Sequence, residues 1–357
     1  MLRHIEIEAV RNLSNVSVEI SSGATILHGS NGSGKTSFLE ALHLLGVGRS
    51  FRTNQARPVI QHGVALCRVV GQLSHGGYRE VLGIERDFDG GVRARVGGES
   101  VSSLSELARQ LPLVLLDTDG VGVLTGPPER RRRLIDGTLF HVEPSFLELW
   151  RRYQLAVRQR NGGLRHGILD SDIAWRAEIA DIGEKLTAIR AAASEEIGAR
   201  LVTLSSALSA DLEGLNVRFR SGWDRKESLF EALERNVHSD VSQGFTQIGP
   251  HRADLRFTLD GVAVSSVLSR GQLKLLLVAL RLIQGQMIEA VSQRRPLYLV
   301  DDLPAELDAE HCASVCRQLS QDRQVVLTAV DRGSLESAWG DAPADVFHVE
   351  RGRVIKS

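Results

Sequence analysis

The sequence predicts an α/β nucleotide-binding fold: a mixed sheet with antiparallel N-terminal strands and an inserted all-helical domain. Three observations predict it. A complete phosphate-loop pattern, Gly29-Ser30-Asn31-Gly32-Ser33-Gly34-Lys35-Thr36, stands between a short apolar run and an apolar-periodic segment. A second apolar run, Leu297–Val300, ends in Asp301-Asp302. Between Pro144 and Pro250 there is no proline, and a helical period takes over. The composition fits a folded globular chain, with 357 residues, 42% apolar and 24% charged. Lys+Arg at 43 and Asp+Glu at 44 give a net charge of −1, which excludes holding nucleic acid by bulk charge and leaves only a local basic face.

Taken in order, Ile5 and Ile7 alternate with Glu6 and Glu8, and Val16, Val18 and Ile20 alternate beyond a break at Arg11-Asn12-Leu13. That pattern predicts two half-buried antiparallel strands and not a targeting segment. Residues 24–27 predict the strand that enters the glycine-rich loop, and Phe38, Leu39, Leu42 and Leu45 predict the helix that leaves it. Residues 64–101 read as strands with turns at Gly76-Gly77, Gly90-Gly91 and Gly97-Gly98, and residues 111–116 as one more strand. The character then changes. Trp175, Ile179, Ile182, Leu186, Ile189 and Ala193 form a narrow helical seam, which Ile197, Leu201 and Leu204 continue in a slipped phase. A compact bundle and a protruding two-helix arm both fit. The α/β character returns near Phe257, followed by an apolar helix at 273–283 and strands at Leu297–Val300 and 325–328.

The chain therefore divides into an N-terminal lobe at 1–120, a helical insert at 121–245 and a C-terminal lobe at 246–357. Cys67, Cys312 and Cys316 are too few for a disulfide framework, and Cys312 and Cys316 have only His311 nearby as a further metal ligand, so reduced thiols are expected. The longest apolar run, 275–280, is far short of a membrane span, so a cytoplasmic protein with no membrane partner is expected.

The glycines of the loop let backbone N–H groups turn inward around a phosphate, and the helix N-terminus adds its dipole. Lys35 is expected to reach the β- and γ-phosphates of a nucleoside triphosphate, and the Thr36 hydroxyl to ligate Mg²⁺. Asp301 is expected to hold Mg²⁺ through water, and Asp302 to act as the base that orients the attacking water. Upstream, Ser269-Arg270-Gly271-Gln272 opens the 273–283 helix. Its serine is either a plain N-cap or, with the free N–H groups, an anion site. Glu306-Leu307-Asp308 follows the aspartate pair.

Phosphate loop, Ser-x-Gly-Gln signature, aspartate-ended strand and Glu-Leu-Asp segment, in this order, resemble the ABC-type ATPase head. The resemblance makes ATP the nucleotide and adds Ser269, Gly271, Gln272 and Asp308 to its binding residues. The interval from Thr36 to Ser269 is far longer than in transporter ATPase subunits and far shorter than in heads that carry long arms. Gly48-Arg49-Ser50-Phe51-Arg52-Thr53, the segment from Gly126-Pro127-Pro128 to Asp136, Gln159-Arg160-Asn161 and Gly249-Pro250-His251-Arg252-Ala253-Asp254-Leu255 resemble the RecF family across essentially the whole chain.

This resemblance implies an ATP-dependent DNA-binding protein of replication and recombinational repair with weak DNA-stimulated ATPase activity. It implies binding to duplex and gapped DNA and to single-strand/double-strand junctions as an ATP-closed homodimer. The implied partners are RecR, with RecO and RecA in the same pathway. Three features depart from the family pattern, one being that Arg130–Arg133 is a denser basic run than the family needs. Thr118-Asp119 stands where the family has Pro-Glu, which puts a Q-loop role for Asp119 in doubt. Asp302 replaces the glutamate of most ABC enzymes, which fits slow turnover.

For DNA, Arg49 and Arg52 follow directly on the phosphate-loop helix, where they are either solvated or link nucleotide to DNA. Arg130, Arg131, Arg132 and Arg133 crowd a helix start, where they are either an exposed, solvated start or phosphate contacts; the cost of cations opposing the dipole is what brings in the second reading. His251 and Arg252 are expected to be structural. Aromatic residues at 5% are too sparse for single-strand stacking platforms, so any DNA contact is expected to be with duplex phosphates. The rival reading is an ABC ATPase subunit of another assembly, a transporter or a nuclease partner. The long insert and the lack of a switch histidine in Ala329-Val330-Asp331 argue against the transporter.

Overall fold

The computed structural model describes residues 1–168, 170–292 and 294–357, with all their side chains but those of Thr118 and Asp119. The chain forms two compact units, Met1–Asp119 with Lys274–Ser357, and Gly120–Leu273.

In the first unit, the strand Leu2–Val10 pairs antiparallel with Leu13–Glu19 on one side and Leu66–His75 on the other, and the sheet continues through Tyr78–Asp87, Val92–Val96 and Glu99–Ser100. A second sheet runs Arg353–Lys356, Ala344–Glu350, Ala24–His28, Gln324–Ala329, Leu297–Val300, Leu113–Leu116. All its neighbours are parallel except the first pair. Its three central strands, Ala24–His28, Gln324–Ala329 and Leu297–Val300, are mostly apolar and buried along almost their whole length, as parallel strands covered on both faces are.

The helix Lys35–Val47 packs on strands of both sheets, and its Phe38, Leu39, Leu42 and Leu45 share one core with Ile5, Val69, Leu299 and Val326. Because this helix is covered all round, its Glu40 is buried too. Gln324 ties the sheets together: its side chain accepts from Leu2 N–H at 2.9 Å and donates to Leu2 O at 2.6 Å. Cys67, Cys312 and Cys316 are buried free thiols.

The second unit is built on the helices Pro128–Val142, Phe146–His166 and Asp172–Leu208, the last of 37 residues. Ile179, Ile182 and Leu186 are fully buried along it, while Trp175 and Ile189 are only half-buried. A straight helix drifts from a seven-residue repeat, and here the drift brings Arg176 and Arg190 inward, each onto a carboxylate. The long helix is covered along its length by Phe146–His166, Leu215–Arg220 and Leu229–Arg235, which is the compact arrangement and not a bare arm.

The content of the insert and its C-terminal boundary differ from the sequence expectation. The insert is not purely helical, because Leu215–Arg220, Asp254–Leu259 and Val262–Ala263 form a three-stranded antiparallel sheet. That pairing also carries residues 246–273, expected in the C-terminal lobe, into the second unit, and Ser269, Gly271 and Gln272 go with them. Among the described residues, no helix is long and apolar enough to cross a membrane.

Candidate functional site

The strand Ala24–His28 ends at Gly29, and the chain turns through residues 29–34 into the helix Lys35–Val47. Gly29 (φ 154°), Gly32 (φ 76°) and Gly34 (φ 124°) take backbone conformations that side chains disfavour. At Gly29 a Cβ would also meet Val349 O at 2.2 Å. The loop is braced from outside by Asn12, whose Nδ2 donates to Gly32 O at 3.1 Å and whose Oδ1 accepts from Ser37 Oγ at 2.9 Å.

Lys35 is 6% exposed and donates to Gly29 O at 2.7 Å and Ser30 O at 3.1 Å. Burial draws its ammonium below the usual range, against the pull of Asp302 and Asp301. No side chain caps this helix. Its first N–H groups are therefore available to an anion. Ser33 is buried, and among the described residues its hydroxyl has no partner. A phosphate fits each of these features.

The strand Leu297–Val300 is buried throughout and delivers two carboxylates to the same place. Asp301 Oδ1 accepts from Thr36 Oγ1 at 3.1 Å and from Thr328 Oγ1 at 2.7 Å, which brings together the two residues expected to share Mg²⁺. Asp302 sits in the left-handed region (φ 44°, ψ 48°), and its N–H donates to Thr328 Oγ1 at 2.9 Å. Burial raises its carboxyl pKa; Lys35 opposes the shift, while neighbouring Asp301 adds to it.

Lys35, Thr36, Asp301 and Asp302 line one cavity of about 330 Å³, together with Asn31, Gly32, Gly34, Arg52, Asp117 and Glu306. Of the two arginines expected to link nucleotide and DNA, Arg52 reaches this cavity. Arg49 is exposed, and its carbonyl accepts from His43 Nδ1 at 2.6 Å. Burial pushes the His43 imidazole down to about 4.

The loop bearing Arg52 is held by a group the sequence reading missed. Glu40 takes both Arg11 guanidinium bonds at 2.8 Å and the Ser50 hydroxyl, and Ser50 Oγ in turn accepts from Arg52 N–H at 2.9 Å and Thr53 N–H at 3.1 Å. The available signal was a carboxylate in the middle of an otherwise largely apolar run, Phe38-Leu39-Glu40-Ala41-Leu42, which has to be paired if buried. Asp117, also missed, directly follows the strand Leu113–Leu116 beside Leu297–Val300 and lines the cavity, with the half-buried Arg281 in its field. Asp119, the expected Q-loop residue, has its side chain outside the described set.

Other expected residues do not line this cavity. Asp308 is an N-cap: its Oδ1 accepts from His311 N–H at 2.9 Å, and that bond lowers its pKa. In the second unit Ser269 and Gln272 cap each other. Ser269 Oγ accepts from Gln272 N–H at 3.3 Å, and Gln272 Oε1 accepts from Ser269 N–H at 2.8 Å. Ser269, Arg270 and Gly271 are exposed there.

The four-arginine run, also in the second unit, divides. Arg131 binds Asp254 at 2.7 Å and Gly126 O at 2.7 Å, and Arg132 donates to Ala253 O at 2.7 Å. These two fasten their helix to a strand, which corrects the expectation of four phosphate contacts. Arg130 and Arg133 remain exposed, the latter paired with Glu129 on its own helix. His251 is structural as expected, with Tyr153 Oη at 2.7 Å from Nδ1 and Thr246 O accepting from Nε2 at 2.9 Å.

A family model described as the RecF/RecN/SMC N-terminal domain matches residues 1–355. The DNA replication and repair protein RecF of Stutzerimonas stutzeri (strain A1501) is 43% identical over 360 residues, covering 99% of this chain and 97% of its own. That of Pseudomonas syringae pv. syringae (strain B728a) is 42% identical over 362 residues, covering 100% and 98%. Among solved structures, the recombination mediator protein RecF-ATPrS of the RecFOR pathway superposes with a TM-score of 0.87 at 22% identity, over 100% of this chain and 98% of its own. An Smc head bound to the C-terminal winged-helix domain of ScpA superposes with a TM-score of 0.60 at 16% identity, over 100% and 96%. These likenesses show the fold, an ABC-type ATPase head.

Proposed function

The chain belongs to the RecF family, and from that premise we propose an ATP-dependent DNA-binding protein of replication and recombinational repair. The observation that carries the ATP half is the seating of Lys35 on two loop carbonyls beside an unpartnered Ser33 hydroxyl, with Thr36 and Asp301 already in contact. Lys35 would exchange its carbonyl partners for phosphate oxygens, and the loop N–H groups would hold the rest of the anion. Thr36 and Asp301 would hold a Mg²⁺ ion, which when bound would supply charge neutralisation at the terminal phosphates.

Asp302 would accept the proton of the attacking water, giving ADP and phosphate. Its carboxylate is one methylene shorter than a glutamate, and burial holds its pKa up. The shorter reach favours weak turnover over rapid hydrolysis, while the raised pKa keeps the carboxylate basic enough to take the proton. Exposed Ser269 and Gly271, with Gln272, would complete the ATP site of a second copy, and Asp308 would serve that same closed pair. ATP would then favour the closed homodimer and hydrolysis would release it.

On this reading DNA is held through Arg49, Arg52, Arg130 and Arg133, as duplex, gapped DNA or a single-strand/double-strand junction. RecR, with RecO and RecA in the pathway, completes the set of partners, and the protein acts in the cytoplasm. A titration of duplex, gapped and single-stranded DNA with and without ATP tests the reading. Tighter binding of duplex and gapped DNA with ATP supports it; DNA affinity indifferent to ATP overturns it.

A further inference from the structure

In the second unit, Arg218 stands directly opposite Arg256 across the paired strands Leu215–Arg220 and Asp254–Leu259, and Arg220 stands opposite Asp254. Both members of the Arg218–Arg256 pair are exposed. Like charges placed directly opposite on one sheet face weaken the pairing. Asp254 does little to relieve it, because it is bound to Arg131 at 2.7 Å and approaches Arg256 only to 3.9 Å. Among the described residues, Arg218 and Arg220 have no ion-pair partner.

The face opens on a groove of about 900 Å³ whose lining adds Arg225 and Arg252. Two further lining groups are unpartnered among the described residues. Thr187 is 3% exposed with no partner for its hydroxyl, and the Trp223 indole N–H is likewise buried and unbonded. A buried hydroxyl without a partner is a cost the free protein carries. Arg225 is already paired with Glu184 at 2.6 Å, but a ligand bringing acceptor oxygens would serve the hydroxyl, the indole N–H and the other arginines together.

We propose that this groove binds the phosphate backbone of duplex DNA, with Arg218, Arg220, Arg252 and Arg256 on phosphates and Thr187 as a neutral contact. The proposal rests on the DNA-binding reading above and gives it a surface that the four-arginine run does not supply. Arginines two residues apart on one strand sit roughly 6.7 Å from each other, a spacing suited to a charged polymer and not to a single ion. A single-strand platform needs free aromatic faces, and the Trp223 ring is already covered by the Arg225 guanidinium, 5.1 Å from its centroid. A protein partner needs apolar anchors, and among the described residues none of the exposed large apolar side chains lines the groove.

The test is fluorescence anisotropy of a labelled blunt duplex with the full chain and ATP across a salt series, for wild type, Arg218→Ala/Arg256→Ala and Thr187→Val. The double variant should bind about tenfold more weakly and lower the salt slope by about 1.8, near 0.9 for each phosphate no longer neutralised. Its urea midpoint should equal or exceed that of wild type, since a like-charge pair is removed, and its ATP affinity should be unchanged. Thr187→Val should weaken duplex binding without changing the slope. A double variant with wild-type slope and affinity overturns the groove while leaving DNA binding in place; a wild type that binds no duplex overturns both. Loss of a labelled polyglutamate peptide with duplex binding retained assigns the groove to an acidic protein segment and overturns the proposal.

Discussion

Acidification should destabilise the second unit through His251. The ring is wedged between Tyr153 and Thr246, accepting from the Tyr153 hydroxyl at Nδ1 and donating from Nε2, so both nitrogens are committed in the neutral form. Burial pushes its pKa down to about 4. An unfolded histidine titrates near 6.5. Between these values the unfolded chain holds a proton that the folded chain refuses, so stability is fully present above about 6.5 and falls as the pH falls toward 4. From about pH 7 to about pH 5 the loss from this one ring is about 2 kcal/mol. Urea unfolding followed by tryptophan fluorescence is a suitable assay, because Trp150, Trp175 and Trp223 all lie in the second unit. His251→Gln can still accept from Tyr153 and donate to Thr246 but cannot titrate. It should start less stable at the higher pH yet lose about 2 kcal/mol less than wild type on acidification. Equal losses in the two proteins would refute the reasoning.

Lys35→Arg keeps the charge but replaces a compact ammonium with a planar fork; it should bind some ATP and lose most phosphate release, and full ATPase activity would remove Lys35 from the mechanism. Ser269→Arg should leave ATP binding to the monomer intact while abolishing ATP-dependent dimerisation in light scattering, and a dimer as tight as wild type would sink the shared-site model. Within the arginine run, Arg131→Ala should cost roughly 2 kcal/mol in chemical denaturation, since it strips a half-buried, charge-assisted pair of one partner, whereas Arg133→Ala should stay within about 0.5 kcal/mol. Comparable losses at the two positions would contradict the division seen between them.

What was legible in the sequence was chemistry confined to one short segment. The phosphate loop and the Asp301-Asp302 strand end are local because a phosphate must be met by consecutive N–H groups and by a strand ending beside them. Arg131 and Arg132 looked like two more surface cations because their partners, Asp254 and Ala253, are far along the chain. Nothing in Arg130-Arg131-Arg132-Arg133 distinguishes an arginine that faces a strand from one that faces water. The strand Leu215–Arg220 escaped for a related reason. Its alternation of Leu215, Val217 and Phe219 with Asn216, Arg218 and Arg220 is clear only once the strand is known to face Asp254–Leu259. Embedded in a proline-free helical stretch, it read as more helix.

The missed Glu40 shows how the local and the distant signals combine. A phosphate loop fixes where the triphosphate lies but not what reaches its outer side. That depends on the loop bearing Arg49 and Arg52, which has little core of its own to anchor it: Ser50 is buried, while Arg49 and Arg52 stay exposed. Its anchor is a charge inside the helix that the phosphate loop begins. Glu40 is buried among apolar neighbours, and an unpaired carboxylate there would be costly. Arg11 supplies the countercharge from the first hairpin, and Ser50 passes the remaining hydrogen-bonding capacity to the backbone of Arg52 and Thr53. Arg52 therefore meets the nucleotide cavity because a buried carboxylate had to be satisfied, and the antiparallel hairpin, the phosphate-loop helix and the arginine loop form one connected polar unit.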